Sequence, residues 1–252
     1  MAEERLRHYE IGEARLTVDE AIGKVQGAID EVMHGATRCD VLEAGCGSRS
    51  HFRVDSGARI TGIDISPEQL DNNPGLAVKI LGDIQTHALP EASYDLVVCF
   101  YVLEHVPAPL KALDNMARAL KPGGLMVIAV PSVSSFKGMV TKFSPHWFHV
   151  LFYRRVLGSR DAGKPGHPPF PTFLRWAMRP EGVRRFAAER ELRVALLERF
   201  EDFTQARMLK RSRPMRFAYW AANALLEFLG CERDCLYLSD FVFVLQKPNL
   251  QA

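Results

Sequence analysis

The chain has 252 residues, 47% of them hydrophobic and 25% charged, which fits one large globular domain or a domain carrying a sizeable insertion. No apolar run approaches the roughly 20 residues of a membrane span, and the opening MAEERLRHYE is too charged for a signal peptide, so a cytoplasmic protein without a transmembrane segment is expected. The net charge of +2 conceals a division: residues 1–136 hold 12 Lys and Arg against 19 Asp and Glu, whereas 137–216 hold 18 against 7, so the second half offers either a partner site for an anion or a solvated basic face.

Taken in order, Thr17 to Met33 places Val18, Ala21, Ile22, Val25, Ile29, Val32 and Met33 on one helical face, with Thr17 and Glu20 as a capping box and Gly35 as the stop. This N-terminal segment, 1–36, leads into a strand over 39–44, which runs straight into Gly45-Cys46-Gly47. Glycines at such a strand end let the backbone bend sharply and lie against a ligand where a side chain would collide. A short connection follows, then a buried strand at 60–64 (ITGID) and a helix start at Ser66-Pro67, with serine as cap and proline in the first turn. Further strands are expected at 77–81, 94–100 and 125–130, with a helix over 109–120 stopped by Lys121-Pro122-Gly123-Gly124. Strands apolar on both faces that alternate with helices mean a parallel sheet covered on both sides.

Residues 132–180 break this rhythm with prolines, aromatics and basic residues, and read as an inserted lid segment over the sheet edge. A helix over 180–190 and a strand over 192–200 resume the pattern. The helix over 214–229 carries Phe217, Trp220, Ala221, Ala224, Leu225 and Phe228 on one face, a stripe expected to be core, and 241–246 is the final strand. The whole, 1–252, reads as one α/β domain built on a doubly wound, seven-stranded, mostly parallel sheet. Five cysteines at irregular spacing (Cys39, Cys46, Cys99, Cys231, Cys235) suit a reducing compartment and form no zinc pattern.

In a doubly wound sheet the ligand sits beyond the carboxyl ends of the strands, where the strand order reverses. Four strand ends here supply Gly45-Cys46-Gly47, Asp64, Asp83 and Phe100-Tyr101. Asp64 follows the glycine turn at the distance at which an acid accepts from both hydroxyls of a ribose, and Asp83 could accept from an adenine amine with Ile84 packed on the ring.

These motifs, LEAGCG at 42–47, GIDIS at 62–66, GD at 82–83, YDLVVCFYVLEHV at 94–106 and LKPGGLMVIAVP at 120–131, resemble those of the class I S-adenosylmethionine-dependent methyltransferases of the small-molecule type. The resemblance implies a Rossmann-like fold whose last strand is antiparallel, and S-adenosyl-L-methionine as cofactor with S-adenosyl-L-homocysteine as product. It implies that Glu43, Ala44 and the backbone of Gly45, Cys46 and Gly47 hold the methionine part, Asp64 and Ile65 the ribose side, Asp83 and Ile84 the adenine, with Phe100 and Tyr101 closing the site. Two departures stand out. The third glycine of many members is absent, as Ser48-Arg49-Ser50 follows, and the connection is too short for a full helix. The VLEHV run resembles ubiquinone-pathway O-methyltransferases, some of which hold a divalent metal there; with Tyr101 in place of another acid only Glu104 and His105 remain, and no metal is expected.

The acceptor is expected to be a small molecule, with hydroxyl methylation favoured, possible anionic, sugar-linked or lipid-linked character, and His105 as first candidate for a base. His146, His149 and His167 lie in the insertion and could reach over the site. The insertion's Lys142, Arg154, Arg155, Lys164, Arg175 and Arg179 would suit a phosphate or carboxylate. Its aromatic and proline-rich character is similar to that of bacterial methyltransferases of polysaccharide and secondary-metabolite pathways. Three rivals remain: a nicotinamide-dependent dehydrogenase, opposed by the missing third glycine; a nucleic-acid methyltransferase, opposed by the lack of an Asn/Asp-Pro-Pro-aromatic turn or a nucleic-acid module; and a membrane-surface or non-catalytic cofactor-binding protein, in which HWFHVLFYRRVLG and RFAYWAANALLEFLG lie on lipid.

Overall fold

The apolar runs hydrogen-bond into one eight-stranded sheet with helices on both faces. This computed structural model describes residues 16–33, 38–54, 57–133, 135–164, 167, 169–230 and 234–249. The strands are β1 Leu16–Thr17, β2 Cys39–Ala44, β3 Ala58–Asp64, β4 Val78–Leu81, β5 Tyr94–Phe100, β6 Leu120–Pro131, β7 Arg193–Glu201 and β8 Asp240–Gln246. The helices are α1 Val18–Met33, α2 Pro67–Asp71, α3 Pro109–Ala119, α4 Phe136–Phe143, α5 His146–Arg155, α6 Pro180–Glu189, α7 Phe203–Arg211 and α8 Arg213–Phe228. Gly35 and Cys231, and the start of the N-terminal segment, lie outside the described residues.

The strand order is β1-β7-β8-β6-β5-β2-β3-β4. All pairings are parallel except those of β8, which runs antiparallel between β6 and β7. The order reverses at β2, which pairs β3 on one side and β5 on the other, so the crevice for a ligand opens at the carboxyl ends of β2 and β5. Seven strands match those read from the sequence; the eighth is the two-residue β1, too short to leave a periodic signal. The expected capping box is present, with the Thr17 N–H donating to Glu20 Oε2 at 2.8 Å and the Glu20 N–H to Thr17 Oγ1 at 3.3 Å. β6 starts earlier than its apolar run, because Leu120 already pairs Tyr94 and the register then shifts before Leu96 pairs Leu125.

Period-2 alternation divides the sheet's side chains between two cores. Leu42, Val97, Met126, Ile128 and Phe243 pack under α3 and α6, while Val41, Leu96, Val127, Val244 and Phe200 pack under α1. One expectation is overturned. The stripe of α8 read as core faces outward: Phe217, Trp220, Leu225 and Phe228 are exposed, and Asn223 is the buried residue of that helix. Apolar spacing tells which residues share a face, and only tertiary packing tells which way the face points.

Met116 of α3 is fully buried against the sheet. Met116→Ala should lower unfolding stability by about 2–5 kcal/mol, read from urea denaturation, through lost transfer energy and the cavity left behind.

Candidate active site

The rim is built first by the turn after β2. Gly45 and Gly47 adopt φ of +70° and +53°, and a Cβ on Gly45 would fall 2.3 Å from Val102 Cγ2, so that position requires glycine both for conformation and for space. The Gly45 N–H donates to the Ile63 carbonyl at 2.7 Å, which ties the turn to the end of β3. Asp64 completes the tie: its Oδ2 accepts from the Gly47 N–H at 3.0 Å and its Oδ1 from the Ser66 N–H at 2.9 Å. Each oxygen retains acceptor capacity toward the crevice. From the other side Asn73, buried, donates to the Gly47 carbonyl at 3.3 Å. No helix forms in the described part of the connection 45–57, in line with its length.

Glu43 is buried at the mouth of this turn, and its Oε2 has no hydrogen-bond partner. Burial pushes its carboxyl up, and a hydrogen bond from Ser50 acts against that. Glu43, Ala44, Gly45, Cys46, Val98, Phe100 and His51 line a narrow crevice. The His51 ring lies over Phe100 with centroids 4.7 Å apart, and burial, then Arg49, hold its imidazole below the usual range. Cys46 is buried; burial first, then Asp64 and Glu43, push its thiol up to about 12, so it is not a ready nucleophile.

At the end of β4, Asp83 accepts from the Gln85 N–H at 2.8 Å and from its side-chain amide at 2.9 Å. The two isoleucines of the reading behave differently: Ile84 is only 5% exposed and belongs to the core, whereas Ile65 presents 76% of its surface to solvent beside Asp64. Tyr101 turns its hydroxyl away to Asp240 Oδ2, 2.6 Å distant, with a left-handed φ of +57°. It therefore offers the crevice its ring and backbone only.

Behind Tyr101 stands a charge cluster around the buried Asp240. Lys137 Nζ lies 3.0 Å from Asp202 Oδ2 and 3.6 Å from Asp240 Oδ1. Burial works to lower Lys137, and the Asp240 and Asp202 carboxylates outweigh it and hold the ammonium above its usual range. Asp240 borders a cavity of about 680 Å³ beyond β6, β7 and β8, whose wall includes Ser132, Ser135, Arg179, Arg199 and Leu226. Asp240 was visible in the sequence only as a strand boundary, although a charge at the head of an all-apolar strand is a signal.

After β5 a short 3₁₀ turn, Leu103–His105, carries Glu104 and His105. The insertion is clipped to it: the Phe173 and Leu174 N–H groups donate to the Glu104 carbonyl at 2.8 and 3.1 Å, and the Arg175 Nε to the Pro107 carbonyl at 3.0 Å. His105 Nδ1 is 2.8 Å from the Pro171 carbonyl, which can only accept, so Nδ1 carries the proton and Nε2 the lone pair. Burial lowers the imidazole, against the Pro171 contact, which raises it. Glu104 Oε1 is 3.8 Å from His105 Nε2, but burial, with the Asp240 charge assisting, pushes Glu104 up to about 8, so at neutral pH both are uncharged and the contact is no ion pair. Among the described residues no group of three or more His, Cys, Asp or Glu is gathered closely enough to hold a metal ion. His149 bonds the Ser144 hydroxyl at 2.7 Å and His146 is exposed at the head of α5; no hydrogen bond, ring contact or ion pair joins either to the strand ends among the described residues. Reading by sequence missed His51, Asn73 and Asp240.

Residues 42–128 match a family model described as a methyltransferase domain. Over 113 residues the chain is 33% identical to the ubiquinone biosynthesis O-methyltransferase of Idiomarina loihiensis, covering 39% of this chain and 44% of that protein. The Vibrio parahaemolyticus protein of the same name is 36% identical over 94 residues, 33% and 40% of the two chains. The chain thus aligns with less than half the length of these curated relatives. Among solved structures, a methyltransferase dependent on S-adenosylmethionine from Archaeoglobus fulgidus superposes with a TM-score of 0.53 at 18% identity, covering 91% of this chain and 94% of that one. The [4+2]-cyclase SpnF superposes at 0.54 with 15% identity, covering 96% and 86%. At such identity these show the fold alone, and the cyclase illustrates that the fold hosts more than one chemistry.

Glu104 binds a proton in the folded state up to about 8, whereas the ordinary carboxyl value is 4.5. In that window the folded state holds more protons than the unfolded state, so stability falls as pH rises, by up to about 1.4 kcal/mol per pH unit. Glu104→Gln, which keeps the neutral shape, should flatten that decline between pH 5 and 8 and leave the variant more stable than wild type at pH 8 in urea denaturation. An equal slope in both proteins removes the buried proton from Glu104.

Proposed function

We propose that this chain is a class I S-adenosylmethionine-dependent methyltransferase that methylates a hydroxyl of a small acceptor held in the cavity beside Asp240, a reading supported by the match of residues 42–128 to a methyltransferase domain. The observation that carries the reading is the buried, unpartnered Glu43 Oε2 set beside a glycine turn at the point where the strand order reverses. An orphan carboxylate oxygen there fits a ligand with an ammonium or sulfonium group, and the exposed Ile65 beside Asp64 fits a nucleoside. On this reading Glu43, Ala44 and the backbone of Gly45, Cys46 and Gly47 hold the methionine part. Asp64 and Ile65 hold the ribose side, Asp83 with Ile84 behind it the adenine, and the Phe100 and Tyr101 rings close the crevice. The names of the curated relatives support a hydroxyl acceptor, and Arg179 and Arg199 in the cavity wall support one bearing a negative charge.

Bound S-adenosylmethionine supplies a methyl group already activated on sulfur. The chain's work is then to align the acceptor, exclude water and remove a proton. His105 is the base: Nδ1 is anchored on Pro171, Nε2 holds the lone pair, and its lowered pKa keeps it neutral and ready at pH 7. Glu104, protonated below about 8, leaves the imidazole uncharged before the step. The segment 132–180, clipped across Glu104 and Pro107, acts as the lid that keeps water from this proton transfer. His146 and His149 serve as lid residues on this reading rather than as bases.

Asp64→Ala should weaken S-adenosylhomocysteine binding at least tenfold in titration calorimetry, about 1.5–3 kcal/mol of lost charge-assisted hydrogen bonds. Unchanged affinity excludes Asp64 from the site. His105→Asn keeps a donor for Pro171 and removes the Nε2 lone pair. With labelled S-adenosylmethionine and a panel of phenols, it should lower methyl transfer about 10²-fold or more while S-adenosylhomocysteine binding persists. Full transfer by that variant leaves His105 a structural role.

A further inference from the structure

The outward face of α8 inverts the usual order of a surface helix. Its inner side is polar: the Asn223 Oδ1 accepts from the Leu236 N–H at 3.2 Å, and Tyr219 packs on Tyr237 with ring centroids 5.8 Å apart. Its outer side is apolar, with Phe217 67%, Trp220 60% and Phe228 86% exposed, and the first two rings 5.7 Å apart. Globular monomers rarely leave such a patch in water.

Charge accompanies it. From Phe203 to Leu226 the chain has five basic residues, Arg207, Lys210, Arg211, Arg213 and Arg216, and no acid. All five are exposed and none makes an ion pair among the described residues. Arg213 and Arg216 occupy the first turn of α8, where cations oppose the helix dipole, so their placement does nothing for the helix itself. A second aromatic helix, α5, buries no residue and exposes Trp147, Phe148 and Leu151 next to Arg154 and Arg155. Tyr153 of α5 and Tyr219 of α8 both come within electrostatic range of Lys137, which puts the two helices around the same lysine.

We propose that α8, with the basic end of α7, docks on an anionic lipid bilayer, its Phe217, Trp220 and Phe228 entering the headgroup boundary and Lys210, Arg211, Arg213 and Arg216 meeting lipid phosphates. Charge selects this occupant over a second copy of the chain. A two-fold contact through this face would bring the same cations together, whereas an anionic surface neutralises them. α8 also walls the cavity with Leu226, so the docked helix stands between the bilayer and the acceptor's place. That the acceptor passes from bilayer to cavity rests on the methyl-transfer reading; the docking does not.

The test is co-sedimentation of the full chain with phosphatidylcholine vesicles with and without phosphatidylglycerol. Wild type should pellet with the anionic vesicles, more weakly with neutral ones, and less as salt rises. The triple variant Phe217→Ser, Trp220→Ser, Phe228→Ser should lose at least tenfold in partitioning, and Arg213→Glu with Arg216→Glu should lose the preference for phosphatidylglycerol. Because all five positions are exposed, both variants should keep S-adenosylhomocysteine binding and the thermal midpoint. Absent pelleting of wild type, or undiminished pelleting of the triple variant, overturns the docking. So does a wild-type dimer in sedimentation equilibrium that the triple variant dissolves, with no vesicle binding by either. Vesicle binding by a protein that fails to bind S-adenosylhomocysteine would sink the methyl-transfer reading and leave the docking standing.

Discussion

Asp240 has no surface in water, and a carboxylate so placed must be paired, hydrogen-bonded or protonated. What meets that demand arrives from distant parts of the chain: the Tyr101 hydroxyl from the turn after β5, Lys137 from α4, and Ser239 from the approach to β8 itself. Tyr101 adopts a left-handed backbone that a bulky side chain seldom takes, and its 2.6 Å hydroxyl bond to Asp240 offsets that cost. The reversed direction of β8 makes this possible. All other strands bring their carboxyl ends to the functional rim, and only an antiparallel strand can present its first residue there. One buried charge thus joins the crevice wall at Phe100 to the larger cavity.

The sheet is legible in the sequence because each inner strand is a short apolar run closed by a turn residue, and the glycine, Asp64 and Asp83 ends fall in chain order. Two of these ends do further duty that pattern does not disclose. Asp64 spends a lone pair of each oxygen on the Gly47 and Ser66 N–H groups, so the residue read as a ribose acceptor also shapes the turn that precedes it. Ile84 and Ile65, equivalent in the motif reading, part company because Ile84 precedes a loop that Asn115 pulls into the core through the Ile84 carbonyl. Residues such as His51 and Asn73 sit in irregular connections without periodicity, and their contacts are made across space rather than along the chain.

The insertion was the least legible part, since proline and aromatic content marks a break without specifying α4 or α5. Its placement follows from backbone bonds that any sequence could make, the Phe173 and Leu174 N–H groups on the Glu104 carbonyl. Three carboxyls along the rim, Glu43, Glu104 and Asp240, are all buried and all raised, Glu104 to about 8. Each has an oxygen without a hydrogen-bond partner among the described residues; that of Asp240 faces Lys137 at 3.6 Å, whereas those of Glu43 and Glu104 leave acceptor capacity for a ligand.

The α8 inversion belongs to the same logic read from outside. A stripe of Phe217, Trp220, Leu225 and Phe228 would stabilise the fold if it turned inward, yet Asn223 takes that place, held by the Leu236 N–H and donating to Glu227 at 2.8 Å. Those bonds satisfy the Asn223 amide on the inner side of the helix. The helix thus turns a hydrogen-bonded polar residue inward and leaves its apolar stripe outward. Such an arrangement leaves the gain from burying those rings to be realised against something outside the chain.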